Sequence, residues 1–184
     1  HARAEAAIKG GVDLVIELPV RFATASAEKF AFGAVYLLDK CGCDIINFGS
    51  ECGSIELLEN CAKKLIEADE SGELAQAVTG EESFARTRQK IGGDILSEPN
   101  NILGVEYIKA LKKLNSKMIP TTIKRTFGYH ASASELRKNI PLGNFEGLPE
   151  TTKEIILREK NEGKLPAEMN NLENIFLAFL RNAR

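Results

Sequence analysis

Apolar and polar positions along this chain follow two periods, and their order predicts helices alternating with strands. Ala2 to Lys9 has a helical pattern closed by Gly10-Gly11. Val12-Asp13-Leu14-Val15-Ile16-Glu17-Leu18-Pro19 is short, apolar and β-branched, and predicts a buried parallel strand. Glu17 near its end faces a ligand crevice or is a solvated strand-end charge. Residues 22–39 predict a helix with Phe22, Ala25, Phe30, Ala31, Ala34, Val35 and Leu38 on one face, and Gly42 marks its end. Asp44-Ile45-Ile46-Asn47-Phe48 predicts a second strand that stops at Gly49-Ser50-Glu51. Gly49 would let the backbone come close to a ligand. The same triplet also suits an ordinary strand-to-helix turn, and neither G-x-G-x-x-G nor a Walker lysine is present. Ser54 to about Gly92 is helical and broken: Ile55, Leu58, Cys61, Ala62 and Leu65 share a face, and Leu74 to Val78 and Phe84 to Ile91 form shorter pieces.

Ser97-Glu98-Pro99-Asn100-Asn101 then runs into the strongest helix. Pro99 suits a first helical turn, and Ser97 is a candidate cap. Ile102, Val105, Ile108, Leu111 and Leu114 recur at three-residue steps. The helix N-terminus offers N–H groups and partial positive charge, so Asn100 and Asn101 either meet an anion or nucleotide edge there or cap the helix. Met118-Ile119-Pro120-Thr121-Thr122-Ile123 predicts a strand ending in Lys124-Arg125, near a sheet edge because of Pro120. Ser132 or Ser134 can cap a further helix that carries Arg137 in its first turn. Hydroxyls, N–H groups and a guanidinium there would cradle phosphate, or would be a plain cap with a surface arginine. His130 is a candidate general base or phosphate ligand, or a structural histidine. Gly143 to Pro149 is a linker, followed by helices over Thr151–Glu162 and Asn171–Arg184 with Ile175, Phe176, Phe179 and Leu180 on an apolar side.

Composition narrows the class. The chain has 184 residues, 43% of them hydrophobic, enough for one compact domain plus an appendage. The formal charge of −2 does not point to nucleic acid, but its distribution does. Residues 51–106 hold twelve Asp or Glu against five Lys or Arg. Residues 107–144 carry Lys109, Lys112, Lys113, Lys117, Lys124, Arg125, Arg137 and Lys138, with Glu135 the only acid. That reversal suits a phosphate-rich ligand, a nucleotide or an RNA backbone. A solvated helix face explains Lys109 to Lys117 equally well, and Lys124-Arg125 less well. Four cysteines, at 41, 43, 52 and 61, lack zinc-site spacing and predict reduced, mostly buried thiols. No metal site is expected. No apolar run reaches membrane-spanning length, so the expected compartment is the cytoplasm. His1 opens directly on an uncapped helix and the chain stops inside a helical pattern, so a fragment of a longer protein is expected.

Several stretches occur in a characteristic order: Gly11 to Pro19, Phe48-Gly49-Ser50-Glu51, Pro99 to Tyr107, Thr122-Ile123-Lys124-Arg125, Tyr129-His130 and Ser132-Ala133-Ser134-Glu135-Leu136-Arg137. Together they resemble the bacterial tRNA(Met) cytidine acetate ligases, a branch of the HIGH-type nucleotidyltransferases. The match runs from residue 1 to about 140, and the tail matches only in character. The resemblance implies an α/β fold: a Rossmann-like parallel sheet with helices on both faces, plus a helical C-terminal appendage. It implies a nucleotidyltransferase-like domain over 1–142 and a helical region over 143–184. It implies ATP as cofactor, with magnesium by analogy, and acetate and elongator tRNA(Met) as partners, with no membrane. Family members make acetyl-adenylate and then acetylate the wobble cytidine. Gly49, one of Asn100 or Asn101, and Lys124-Arg125 match ATP-contacting positions, and Ser132, Ser134 and Arg137 match a phosphate-holding segment. Lys124, Arg125 and Arg137 are then the expected catalytic stabilisers of phosphate charge.

Two departures accompany the resemblance. The family's histidine-bearing nucleotide loop lies upstream of everything in this sequence, so the chain as given should not be fully active. The stretch between Tyr129-His130 and Ser132 is shorter than the family pattern, as if a loop were missing. Two rival readings stand beside it. One is a related nucleotidyltransferase with a small-molecule acceptor, indifferent to tRNA. The other is a non-catalytic RNA-binding module, with salt-sensitive tRNA binding and no ATP binding.

Overall fold

Two parallel strands hold the centre of the chain: β1 (Ile45–Ser50) and β2 (Ile119–Lys124). They pair in register from Ile45 opposite Ile119 to Ser50 opposite Lys124. The computed structural model describes residues 1–72, 84–125, 133–165, 177–178 and 180–181. The chain divides into two compact units, Glu17–Phe127 and His1–Ile16 with Gly128–Arg184.

The unit over Glu17–Phe127 carries the sheet. Before β1 come α2 (Val20–Ala23) and α3 (Ala27–Lys40). Between the strands lie α4 (Ile55–Glu70), α5 (Phe84–Gly92), a 3₁₀ turn (Gly93–Ser97) and α6 (Pro99–Lys113). Side chains alternate along β1, so Ile46 and Ser50 are buried while Ile45, Asn47 and Gly49 are exposed. The buried side meets two apolar clusters that share α6. Leu58, Cys61, Ala62 and Leu65 of α4 pack with Val105 and Ile108. Val35 of α3, Ile46 and Met118 pack with Ala110 and Leu111. Each buried Leu, Ile or Val contributes roughly 1.5–3 kcal/mol of transfer free energy. Ile45, Ile119 and Ile123 on the opposite side are exposed.

The α/β class and the parallel sheet are as the sequence led us to expect, and so are most element bounds. Some expectations need correction. Val12 to Pro19 is not a strand: it runs as irregular chain with Val12, Leu14, Val15 and Ile16 all exposed. A β-prone run becomes a strand only beside a partner, and among the described residues no strand pairs with it. Glu17 is accordingly not at a strand end. The helix over 22–39 is two helices. Thr24 Oγ1 donates to the Val20 carbonyl (2.8 Å), and the break lets Phe22 fold back over Gly33, where a Cβ would lie 2.4 Å from Phe22 Cγ. Ser97 does not cap α6; it ends the 3₁₀ turn, and its hydroxyl donates to the Asp94 carbonyl (2.6 Å). Only Cys61 of the four thiols is buried, while Cys41 is exposed. Burial pushes the Cys61 thiol up from its ordinary pKa.

In the other unit α1 (Ala2–Lys9) packs on α8 (Glu150–Asn161). Arg158 donates to both Glu5 oxygens, at 3.0 and 2.7 Å. The same unit holds α7 (Ala133–Asn139) and a 3₁₀ turn, Ile140–Leu142, closed by Gly143 at φ +79°. The expected helix over Leu74–Val78 lies outside the described residues. So does most of Asn171–Arg184, including Ile175, Phe176 and Phe179; residues 177–178 and 180–181 are helical, with Leu180 exposed.

Candidate functional site

The C-terminal ends of β1 and β2 stand side by side because the strands are parallel, and their last residues carry the polar chemistry. Ser50 is fully buried there. Thr122 Oγ1 donates to the Phe48 carbonyl (3.0 Å), so its one proton is used and Ser50 Oγ must donate to it (2.7 Å). Ser50 Oγ then accepts from the Gly53 N–H (3.0 Å). The hydroxyl therefore locks the end of β1 to β2 and to the turn after it. Gly53 turns with φ +63°, and a Cβ on it would lie 2.5 Å from Lys124 Cβ. The turn thus fits closely against Lys124.

Arg125 follows β2 with its backbone N–H donating to the Ser50 carbonyl (2.9 Å). Its side chain lies over Gly49, where an added Cβ would be 3.3 Å from Arg125 Cγ. Arg125 Nη1 donates to Asn100 Oδ1 (3.4 Å) at the start of α6. Gly49, Asn100 and Arg125 are therefore neighbours. Lys124 and Arg125 are both exposed, as groups meeting a soluble ligand must be.

The sequence places Glu51 in the loop after β1 without a role of its own, yet it organises this corner. One carboxylate oxygen accepts from Asn100 Nδ2 (2.5 Å) and from the Asn100 N–H (3.4 Å), and the other accepts from the Asn101 N–H (2.9 Å). Burial raises its pKa, but the Asn100 amide and the backbone N–H groups outweigh that and hold the carboxyl below its ordinary range. This changes the expectation for α6. Its N-terminus attracts an anion, and the chain supplies that anion itself. Neither asparagine caps its own helix. Asn101 is buried, with Oδ1 accepting the Cys52 N–H (3.1 Å), so it ties α6 to the β1 turn.

Further along α6, Glu106 is buried and paired with Arg88 of α5 and with Lys109 Nζ (3.1 Å). Gly104 was quoted in the motif without a reason. A Cβ there would lie 2.7 Å from Phe48 Cε2 and 3.2 Å from Leu58 Cδ1, so glycine lets α6 close on β1. A cavity of about 510 Å³ opens beside Phe22, Phe32, Glu106 and Lys113. It sits at the other half of α6, about 14 Å from Asn100 along the axis at 1.5 Å per residue. Four acids and four lysines line it, so its charge selects no ligand class.

The phosphate-holding segment reads differently. Ser134 is inside α7 and exposed rather than at its cap, and Arg137 belongs to the last turn, not the first. A seven-residue helix leaves little N-terminal field at that arginine. Ser132 and His130 lie outside the described residues. Among the described residues no group of three or more His, Cys, Asp or Glu could hold a metal ion.

With this geometry in hand, comparison with known proteins is informative. The family model described as HIGH Nucleotidyl Transferase matches residues 1–184. A tRNA(Met) cytidine acetate ligase of Caldanaerobacter subterraneus subsp. tengcongensis is 41% identical, covering 98% of this chain and 51% of that protein. One of Thermoanaerobacter sp. is 40% identical with the same coverage. The crystal structure of Thermotoga maritima TmcAL bound with alpha-thio ATP superposes with a TM-score of 0.87 at 38% identity, over 98% of this chain and 48% of that one. The chain spans about half the length of the curated relatives it matches. The resemblance read from the motifs is borne out, and the chain belongs to the HIGH nucleotidyl transferase family.

Proposed function

We propose that this chain carries the nucleotide-handling part of a tRNA(Met) cytidine acetate ligase. It takes ATP and acetate, and it serves elongator tRNA(Met). The observation that carries the reading is the cluster of Gly49, Asn100 and Arg125 at the strand ends. It lies in a chain whose 38%-identical structural relative holds an ATP analogue. The relatives' names supply the acceptor and the acyl group. Localisation in the cytoplasm follows from that acceptor; among the described residues no helix is long and apolar enough to cross a membrane.

The chemistry runs in two steps. An acetate oxygen attacks the α-phosphorus of ATP, the bond to the β-phosphate oxygen breaks, and pyrophosphate leaves. The exocyclic amine of the wobble cytidine then attacks the acetyl carbonyl, loses a proton, and AMP leaves. Negative charge grows on the phosphates in the first step. Lys124 and Arg125 are the cations at the strand ends to meet it, by positioning and electrostatics. Gly49 keeps the surface beneath Arg125 open. Asn100, half-buried and bonded to Arg125, is the asparagine that reaches the nucleotide, while Asn101 serves the framework. Ser132, Ser134 and Arg137 are assigned to phosphate by the resemblance alone. Magnesium would arrive with the triphosphate and would supply charge neutralisation beside Lys124 and Arg125.

The test is acetyl transfer by the protein at its full natural length, with ATP, labelled acetate and a tRNA(Met) transcript. Label on the wobble cytidine, lost when that base is changed, is the expected result. Label on a mononucleotide acceptor with tRNA ignored would replace this reading by a small-molecule nucleotidyltransferase. ATP-independent, salt-sensitive tRNA binding alone would leave an RNA-binding module.

A further inference from the structure

We infer that Glu51 is a positioning residue for the nucleotide site: it sets the orientation of the Asn100 amide and, through it, the place of the Arg125 guanidinium. The inference rests on the reading of Arg125 and Asn100 as ATP-facing groups and adds a residue that touches neither phosphate nor base.

Valence carries the case. A carboxylate accepts hydrogen bonds and donates none. The Asn100 group 2.5 Å from Glu51 must therefore be its NH2. The amide carbonyl then has to face the other way, toward Arg125 Nη1 at 3.4 Å. An amide turned over would set its NH2 against a guanidinium, donor against donor. The direction of this three-residue relay is thus dictated by the charge at its buried end. The same carboxylate is anchored by the Asn101 N–H (2.9 Å), so it cannot swing away without uncapping α6. The relay spans three elements: the turn after β1, the first turn of α6 and the residue after β2.

A second consequence concerns phosphate. With Glu51 on the α6 N-terminus, the partial positive charge there is already met. The triphosphate is left to Lys124 and Arg125, and the nucleotide meets α6 through a side chain rather than through helix N–H groups. Removing the Glu51 charge should therefore disturb ATP through Arg125, not through a lost helix cap alone.

A double-mutant cycle on ATP affinity, measured on the full-length protein, separates the two roles. Glu51→Gln supplies one acceptor and one NH2: with the carbonyl kept on the Asn101 N–H at the helix start, the NH2 faces Asn100, whose amide must then turn over. Glu51→Gln is expected to raise the ATP Kd roughly tenfold in the parent and less than about twofold when Arg125 is already alanine. Asn100→Ala cuts the relay but leaves the carboxylate on the backbone N–H groups. It should weaken ATP at least as much, and Glu51→Gln added to it should change little. Should Glu51→Gln not fold, Glu51→Asp, whose shorter side chain draws the carboxylate back from the Asn100 amide, takes its place in the cycle with Arg125→Ala and is judged by the same criterion. A lower thermal midpoint with unchanged ATP affinity in Glu51→Gln would make Glu51 a helix cap only and overturn the inference. So would equal losses in both backgrounds. A parent protein that binds no ATP overturns the functional reading and this inference together. ATP binding lost in Arg125→Ala but kept in Glu51→Gln overturns the inference alone.

Discussion

Single residues at the strand ends act through space as much as through chemistry. Gly104 has an ordinary helical place, yet Phe48 and Leu58 occupy the volume a Cβ would need. Gly104→Ala should cost about 1–3 kcal/mol by overpacking, read as a lower midpoint in chemical denaturation. A midpoint equal to the parent's would mean that α6 and β1 are not held this closely. Arg125 is exposed and its guanidinium makes only a long surface bond to Asn100 (3.4 Å), so Arg125→Ala should leave that midpoint in place. Losing one charge-assisted contact to phosphate should weaken ATP binding roughly ten- to a hundredfold. Unchanged nucleotide affinity would remove Arg125 from the site. Gly49, the Asn100-Asn101 pair and Arg125 stand out in the sequence because they lie in motifs that the resemblance places beside ATP. Glu51 does not, because its partners lie 49 and 50 positions away and the contact exists only once β1 and α6 are docked.

Elements whose pattern is self-contained were legible. Pro99 at the first turn and the apolar steps of α6 define that helix without any partner. Val12 to Pro19 was misread because β character needs a neighbour, whereas helical hydrogen bonds are internal. The buried charge on α6 was read only as part of a motif. Glu106 holds Arg88 of α5 and Lys109 against one carboxylate, so it joins two helices. Glu106→Ala would take the buried carboxylate away from Arg88 and Lys109 and should cost about 3–5 kcal/mol. That corresponds to a fall in Tm of roughly 6–20 °C for a chain of this size. A thermal melt within about 2 °C of the parent's would contradict a buried ion-pair role.

The pairing of α1 and α8 makes a pH statement. Arg158's hydrogen bonds hold the Glu5 carboxyl down to about 2, against an ordinary value of 4.5. A lowered folded-state pKa stabilises the pairing above the unfolded value and stops doing so as the carboxyl takes up its proton. The α1–α8 packing should thus be insensitive to pH above about 4.5 and weaken as pH falls from 4.5 toward 2. Glu5 is partly exposed, so salt should blunt the effect. Amide shifts of α1 followed by NMR would check this; a transition centred at or above 4.5 would show that Arg158 does not hold Glu5 in solution.

At the scale of the molecule, the charge reversal along the chain resolves into place. Lys124 and Arg125 come to the strand ends, beside a helix start whose own field is met by Glu51. Family and fold class were legible because several short motifs kept their order over most of the chain. The segment around Ser134 and Arg137 was less legible: a cap signal says that a helix starts, not how long it runs. α7 starts at Ala133, so Arg137 lies past its first turn, and the helix ends at Asn139, which puts Arg137 in its last turn.

We propose that the strand-end cluster activates acetate with ATP. Exchange of labelled pyrophosphate into ATP, measured on the full-length protein with and without acetate and without any tRNA, tests it most directly. Exchange that requires acetate and is lost in Arg125→Ala is the predicted result. Exchange absent with acetate while ATP still binds would contradict it and assign the site to a different acceptor.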